Sequence, residues 1–202
     1  MRDDIRPYHH GDLREALLAA GLAVARAKGP DALAVRALAA DVGVTPNAVY
    51  RHFADLEHLR AAVAQRAREE LAGRLAVAAT SDVDGASDAD RARERLVRMS
   101  RTYVAFAREE PNLFATAFRP NAVPPDRPDD PDGWTVGAGM LDEMLASGAM
   151  SAELREVAPW FVWSIWQGLA SLVVSTELPV GLEVEIERIV TGVTDRMLKV
   201  LD

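Results

Sequence analysis

The chain has 202 residues, of which 49% are apolar, and it carries a formal net charge of −8 with no cysteine. This length and apolar content suffice for one domain with a large core, or for a small module joined to a larger domain. The lack of cysteine excludes disulfides and thiolate metal sites and is compatible with a reducing cytosol. No apolar run reaches the roughly 20 residues of a membrane span.

Residues 1–12 predict a polar arm. Their sequence, MRDDIRPYHHGD, lacks the apolar stretch of a signal peptide, so we expect a cytoplasmic protein with no membrane partner. Arg2 and Arg6 could reach a DNA minor groove as basic arms do, and disorder without function is the alternative. His9 and His10 are adjacent and would point apart on regular structure, so we predict no metal site there.

A capping box predicts the first helix. Asp12 and Glu15 have its spacing, and the helix should run from Asp12 to about Lys28, where Gly29 and Pro30 end it. We expect this helix to pack against the two short helices that follow. Its apolar residues recur at helical spacing and are Leu13, Ala16, Leu17, Ala20 and Val24.

The stretch Val35–Phe53 predicts a helix-turn-helix. Its first helix, Val35–Val42, has apolar residues at helical spacing and is broken by Gly43. Thr45 can cap the second helix, and Pro46 takes its first position, where a missing N–H costs nothing.

The second helix of this motif should present a polar and aromatic face to solvent while it buries Val49 and Phe53. A helix about 10–12 Å across fits a B-DNA major groove about 12 Å wide. Thr45, Asn47 and Arg51 are therefore candidate base-reading residues, and an ordinary helical hairpin on a protein surface is the alternative. The exposed face consists of Pro46, Asn47, Tyr50, Arg51 and His52.

The charge distribution limits how such a module would bind DNA. Residues 1–60 hold eight basic and eight acidic side chains, so the net charge of −8 lies entirely in the rest of the chain. Because the module is not basic overall, binding should depend on a few placed contacts more than on bulk attraction.

The rest of the chain predicts further helices and no strand, which gives an all-α fold of about nine helices. We assign residues 1–58 to a helix-turn-helix domain and residues 59–202 to a C-terminal helical domain for ligand binding and dimerisation. The segment 119–133 carries five prolines and four aspartates and predicts a surface loop, whose role as a lid stays open. The predicted helices begin after an Asp55 cap and cover Leu56 to Ala79, Ala89 to Glu109, Pro111 to Phe118, Trp134 to Ser147, a Ser151-capped segment interrupted or restarted at Pro159, and Glu183 to Leu201.

Two C-terminal segments predict an interface with a second copy of the chain. The run from Trp160, WFVWSIWQGLASLVVS, is apolar on nearly every side, so part of it should be buried against a partner. Small residues would allow a close approach, and the last helix adds an apolar stripe, so the two helices and their copies can form a four-helix bundle. The predicted interface residues are Ser164, Gly168, Ser171, Ile186, Ile189, Val193 and Met197.

Residues 8–63 resemble the DNA-binding region of the TetR (tetracycline-repressor-like) family of bacterial transcriptional regulators. The pattern A-x-x-x-G-V-[ST]-x-x-x-x-Y-x-x-F from Ala39 to Phe53 carries this resemblance. The run W-x-x-W-Q-G from Trp163 to Gly168 is similar to a subgroup with a Trp-(His or Gln)-Gly signature. Where the family commonly has a lysine three residues after the phenylalanine, this chain has Leu56, so we expect no lysine–phosphate contact there.

The resemblance implies a homodimeric repressor that binds a near-palindromic operator in double-stranded DNA. It places phosphates near Thr45, Tyr50 and His52. It places bases near Pro46, Asn47 and Arg51, and the DNA backbone near Arg36 from the preceding helix.

The resemblance also implies that a small-molecule effector binds the C-terminal domain and releases the operator. No buried charge is evident among the candidate lining residues, which favours a neutral, apolar ligand, and core packing is the alternative role for each. The candidates are Met99, Tyr103, Phe106, Phe114, Phe118, Trp134, Met140, Met144 and Trp163.

The sequence also bears on two other functional classes, an enzyme and an effector-independent DNA-binding protein. An enzyme is not expected, because all four histidines precede residue 59 and no nucleophile motif appears, and we predict no cofactor. An effector-independent or architectural DNA-binding protein is the alternative within DNA binding. The sequence does not distinguish a repressor from an activator.

Overall fold

The computed structural model describes residues 10–84, 87–119, 133–174 and 185–202, with only the backbone for residues 10–12. The predictions for Arg2, Arg6 and His9, and for all but the ends of segment 119–133, lie outside the described residues. Within the described ranges all regular structure is helical, which confirms the predicted all-α fold. The nine α-helices are α1 (His10–Lys28), α2 (Val35–Val42), α3 (Pro46–Tyr50), α4 (Leu56–Thr80), α5 (Asp88–Glu109), α6 (Pro111–Ala117), α7 (Gly133–Ala146), α8 (Ala158–Val174) and α9 (Ile186–Leu201), with short 3₁₀ turns at Pro30–Ala32 and Ala152–Leu154.

The chain forms two compact units. The first comprises residues 1–67 and 112–128, and the second comprises residues 68–111 and 129–202. This division differs from the predicted boundary at residues 58–59. Helix α4 is uninterrupted, and Leu59 and Val63 in its first turns are fully buried, so the first unit extends further along the helix than the sequence indicated.

In the first unit, α1 and α4 approach each other closely at Gly21. A Cβ atom added to Gly21 would lie 2.7 Å from Cγ2 of Val63, which only glycine avoids. Glu15 of α1 also forms an ion pair with Arg66 of α4. Helix α1 begins at His10, upstream of the predicted start, so Asp12 lies inside its first turn and not at a cap position.

Helix α6 belongs to the first unit although it is remote from it in sequence. The Asn112 side chain donates a hydrogen bond from Nδ2 to the carbonyl of Arg26 at 3.0 Å, near the end of α1. Arg119, just beyond α6, donates to Oε2 of Glu57 in the first turn of α4 at 3.0 Å. Polar contacts at both ends therefore attach α6 to the first unit.

In the second unit, α5 packs against α7, α8 and α9. Its side chains Leu96, Met99 and Phe106 are fully buried. Pro159 lies in the first turn of α8, so the helix restarts at this proline and is not kinked by it. Among the described residues, no helix is both long and apolar enough to cross a membrane.

Candidate nucleic-acid interface

The turn between α2 and α3 depends on Gly43. This residue has φ +76° and ψ +30°, the left-handed conformation that glycine adopts without a steric penalty. Its N–H donates to the carbonyl of Ala40 at 3.2 Å, and the Val44 N–H donates to the carbonyl of Ala39 at 2.8 Å. These two bonds form a Schellman cap, which ends α2 where the sequence predicted.

Thr45 and Pro46 begin α3 as predicted. The Thr45 Oγ1 accepts a hydrogen bond from the Ala48 N–H at 3.3 Å, and Pro46 takes the first helical position. Regular α-helix ends at Tyr50, earlier than expected. The chain still turns in a helical sense, because the Phe53 N–H donates to the carbonyl of Val49 at 3.0 Å.

Buried residues anchor α3 and leave its other side to solvent. Val49 and Phe53 are fully buried, whereas Tyr50 is 50% exposed although it is a large aromatic side chain. Asn47, Tyr50 and Arg51 are spaced i, i+3, i+4 and therefore share one face of the helix. The predicted DNA-contacting residues Arg36, Thr45, Pro46, Asn47, Tyr50 and Arg51 are all exposed, and His52 is half-buried.

The first turn of α4 carries a cap that the sequence only half revealed. The predicted cap residue Asp55 accepts a hydrogen bond through Oδ1 from the His58 N–H at 2.7 Å. The ring of His58 accepts in turn through Nδ1 from the Ala54 N–H at 3.2 Å. The histidine ring was missed because sequence patterns associate this position with Glu or Gln.

The same turn is acidic and not basic. Glu57 accepts a hydrogen bond from Arg60 at 2.6 Å, and that bond, together with the charge of Arg119, holds the pKa of Glu57 below its ordinary value. Leu56 occupies the position at which the resembled pattern commonly has a lysine, and its side chain is half-buried. The start of α4 therefore offers a carboxylate already engaged by two arginines.

A small cavity lies between α7 and α8 in the second unit. Its volume is about 10 Å³, the size of one water molecule. It is lined by Gly133, Trp134, Gly137, Ala138, Leu141, Pro159, Val162, Trp163 and Trp166.

The predicted lining residues coincide with this cavity at Trp134 and Trp163 alone. Tyr103 is buried beside it, with its ring 5.7 Å from that of Trp163. Phe114 and Phe118 belong to the first unit and pack on each other, with ring centroids 4.9 Å apart. Core packing accounts for the remaining residues, Met99, Phe106, Met140 and Met144, which are at most 2% exposed. The glycines of the sequence GWTVG, one helical turn apart, were the signal that could have located the cavity.

Hydrogen bonds satisfy the polar atoms of two rings beside the cavity, those of Tyr103 and Trp166. Tyr103 donates its hydroxyl proton to Oε1 of Gln167 at 2.6 Å, and burial raises the pKa of Tyr103 above its ordinary range. Trp166 donates its indole N–H to the hydroxyl of Ser100 at 2.7 Å. Among the described residues, no charged side chain lines the cavity.

Two family models match the sequence. Residues 17–63 match "Bacterial regulatory proteins, tetR family", and residues 96–197, about half of the chain, match "Tetracyclin repressor-like, C-terminal domain". The chain belongs to the TetR family. It is a transcriptional regulator with a helix-turn-helix DNA-binding domain.

Solved structures agree with this TetR-family fold. A protein with unknown function from Rhodococcus sp. RHA1 is 24% identical, with a TM-score of 0.70 and coverage of 97% of this chain and 98% of that one. A regulatory protein in the tetR family from Rhodococcus RHA1 is 17% identical (TM-score 0.61; 93% and 96% covered). A protein described as a possible TetR family transcriptional regulator, from Streptomyces coelicolor A3(2), is 19% identical (TM-score 0.62; 93% and 96% covered). At these identities the likeness shows the fold alone.

No curated protein matched the sequence. Assignment of this TetR-family chain to the subgroup with the Trp-(His or Gln)-Gly signature stays a prediction.

The predicted dimer residues of this TetR-family chain divide into two groups. Ser164, Gly168 and Ser171 of α8 are exposed, and Ile189 and Val193 of α9 are half-buried. Two residues must be removed from the predicted set, because each is at most 5% exposed within the single chain and cannot meet a partner. These core residues are Ile186, which packs with Val104 and Val190 between α5 and α9, and Met197.

Exposed apolar side chains extend the surface on α8 and α9. Trp160 is 65% exposed and Leu172 is 57% exposed on α8, and Val200 is 56% exposed on α9. Trp160 and Leu172 lie in the apolar run predicted to be partly buried against a partner, but neither is among the predicted interface residues. Large apolar side chains left in water on two helices are typical of a surface that a partner covers.

Proposed function

We propose that this protein is a cytoplasmic, homodimeric repressor that binds a near-palindromic operator and is released from it by a small apolar ligand. The observation that carries the proposal is the exposed face of α3. It presents Asn47, Tyr50 and Arg51 together, while Val49 and Phe53 anchor the opposite side of the helix. Such a face on a helix-turn-helix fits a major groove.

The local geometry supports a distinct role for each group on this face. The Thr45 Oγ1 accepts the Ala48 amide, so its own proton remains to be donated to a phosphate oxygen. Tyr50 and His52 are assigned to phosphates as well. Asn47 and Arg51 are assigned to base edges, since their side chains have donors that adenine and guanine accept in the major groove. Pro46 lies against the bases, and Arg36 of α2 contacts the DNA backbone.

Dimerisation would place two α3 helices on successive half-sites. The proposed interface combines the exposed small residues of α8, Ser164, Gly168 and Ser171, with the half-buried Ile189 and Val193 of α9. The exposed apolar side chains on the same two helices support it.

The effector part of the proposal rests on the cavity between α7 and α8. At about 10 Å³ the cavity admits no ligand, so an effector must favour a conformation in which it is larger. This small volume also favours a second candidate, an effector-independent DNA-binding protein.

Operator binding tests the proposal. A binding site is selected from random duplex DNA with the purified full-length chain, and affinities are measured by fluorescence anisotropy at fixed salt. Asn47→Ala and Tyr50→Ala should each weaken binding by roughly 1–3 kcal/mol, as expected for loss of a good specific contact. Arg51→Ala has a matched control in Arg155→Ala, which removes the same charge from an exposed site in the second unit.

Three outcomes would count against the proposal. Unchanged affinity of both the Asn47 and Tyr50 variants would exclude this face as the DNA-reading surface. An equal loss in Arg51→Ala and Arg155→Ala would indicate bulk electrostatic attraction. A selected site without two half-sites would argue against a dimeric reader.

A further inference from the structure

Helix α7 turns glycines toward indole rings. A Cβ atom added to Gly133 would lie 3.9 Å from Cζ3 of Trp163, and one added to Gly137 would lie 4.0 Å from Cζ3 of Trp166. The backbone of α7 therefore lies beside the six-membered rings of two tryptophans, and at Gly133 the Cδ1 atom of Leu75 is nearer still, 3.4 Å from the added Cβ. The cavity between α7 and α8 opens at this place.

Three tryptophan rings and four aliphatic residues, Ala138, Leu141, Pro159 and Val162, form the rest of the wall. The ring centroid of Trp134 lies 5.8 Å from that of Trp163, in an edge-to-face arrangement, and 4.8 Å from that of Trp160. Behind them Tyr103 contacts Trp163 edge to face and Trp166 at 5.6 Å. Rings at these separations attract through their quadrupoles in addition to burying apolar area, so a further ring would extend the network favourably.

The wall offers no opposite charge to a charged ligand. None of the described residues that line the cavity is ionisable. The indole N–H of Trp166 and the hydroxyl of Tyr103 already donate to Ser100 and Gln167. A buried charge without a partner is strongly unfavourable, so a ligand of this cavity has to be neutral.

For a ligand to enter the cavity one wall has to move, and α7 is the glycine-rich wall. It has glycine at positions 133, 137 and 139 among its 14 residues, and each glycine weakens a helix relative to alanine. Displacement of α7 from the indole rings of Trp163 and Trp166 on α8 would widen the cavity into a slot between these rings and the glycine positions of α7.

We propose that this slot binds a neutral, flat aromatic molecule of one or two fused rings. The inference rests on the proposed effector function and specifies the chemical class of the effector. A flat, rigid molecule matches the glycine surface and the indole rings, and it loses little conformational freedom on binding, whereas a flexible chain of equal size loses more.

Equilibrium dialysis of the full-length chain with naphthalene and with decan-1-ol, which has the same number of carbon atoms, tests this class directly. Naphthalene should bind about tenfold or more tightly than decan-1-ol, because only the former adds ring–ring contacts. In ¹⁵N-labelled protein, naphthalene should shift the indole N–H resonances of Trp134, Trp163 and Trp166 through its ring current.

Two leucine substitutions locate the site. Gly137→Leu should weaken naphthalene binding about tenfold or more by filling the slot, since overpacked side chains exclude a ligand of similar volume. The matched control is Gly139→Leu, because Gly139 is exposed on the same helix with nothing within 4 Å of an added Cβ, and it should change the affinity by less than about twofold. Gly137→Ala adds a Cβ at ordinary contact distance and should stay folded and bind naphthalene.

The inference is overturned if decan-1-ol binds as tightly as naphthalene, if Gly139→Leu weakens binding as much as Gly137→Leu, or if the indole resonances do not move. These binding assays are carried out without DNA, so their outcome does not depend on whether the chain binds an operator. Naphthalene binding that leaves operator affinity unchanged would support the ligand class and contradict ligand-induced release.

Discussion

Trp166 of α8 donates its indole N–H to the hydroxyl of Ser100 on α5 across 2.7 Å, and both side chains are at most 1% exposed. The same hydroxyl donates to the carbonyl of Leu96 at 3.0 Å. The Ser100 hydroxyl thus accepts the buried indole N–H of Trp166 from α8 and donates its own proton to a carbonyl within α5.

Ser100→Ala should therefore destabilise the chain. It leaves the Trp166 N–H buried without an acceptor, and we expect the free energy of unfolding to fall by about 1–3 kcal/mol in urea titrations. The control is the same substitution in a Trp166→Phe background, where no indole N–H remains. An equal loss in both backgrounds would show that the hydrogen bond contributes nothing.

Because of Tyr103, the free energy of unfolding should depend on pH in the alkaline range. Because burial raises its pKa, the folded chain holds the phenol proton more tightly than the unfolded chain. Its contribution to stability is complete below the unfolded pKa of about 10 and is lost as pH rises above that value. Urea titrations at about pH 9 and pH 11 should show a larger loss of stability in the wild type than in Tyr103→Phe. Identical losses would contradict this assignment.

Replacing Gly43 by alanine should change the free energy of unfolding in the opposite direction to the same replacement at an ordinary helical glycine. Alanine at φ +76° is strained, so Gly43→Ala should lower the free energy of unfolding by about 1–2 kcal/mol. Gly73 lies in α4 with open space around it, so Gly73→Ala should raise that free energy by about 0.5–1 kcal/mol. Thermal unfolding of both variants checks the pair, and stabilisation by Gly43→Ala would contradict the left-handed turn.

Gly168→Leu tests the proposed dimer surface. Nothing lies within 4 Å of a Cβ added at Gly168, so the single chain accommodates leucine while a closely approaching partner helix does not. We expect a monomer in size-exclusion chromatography with light scattering. Gly73→Leu, also in open space on an exposed helix surface, should retain the wild-type mass. A full-mass dimer of Gly168→Leu would remove this position from the interface.

Local signals in the sequence determined the helix-turn-helix. The bonds that form its turn and cap join residues at most five positions apart, from Ala39 to Val44 and from Thr45 to Ala48. Interactions over such short separations follow from residue type, because Gly43 permits the left-handed turn and Pro46 fits the first helical position. The sequence also indicated which side of α3 is buried, through the spacing of Val49 and Phe53.

Only the tertiary structure decided what the buried residues are buried against. Helical periodicity shows that a side chain such as Met99 or Met197 faces inward, but it does not distinguish a core, a cavity wall and a partner subunit. Contacts such as that of Asn112 with the carbonyl of Arg26 join distant parts of the chain, and helix packing alone brings them together. The sequence by itself therefore determined the helices and the helix-turn-helix motif, whose interactions are local. Packing decided the membership of α6, the place of the cavity and which residues of α9 stay accessible at the surface.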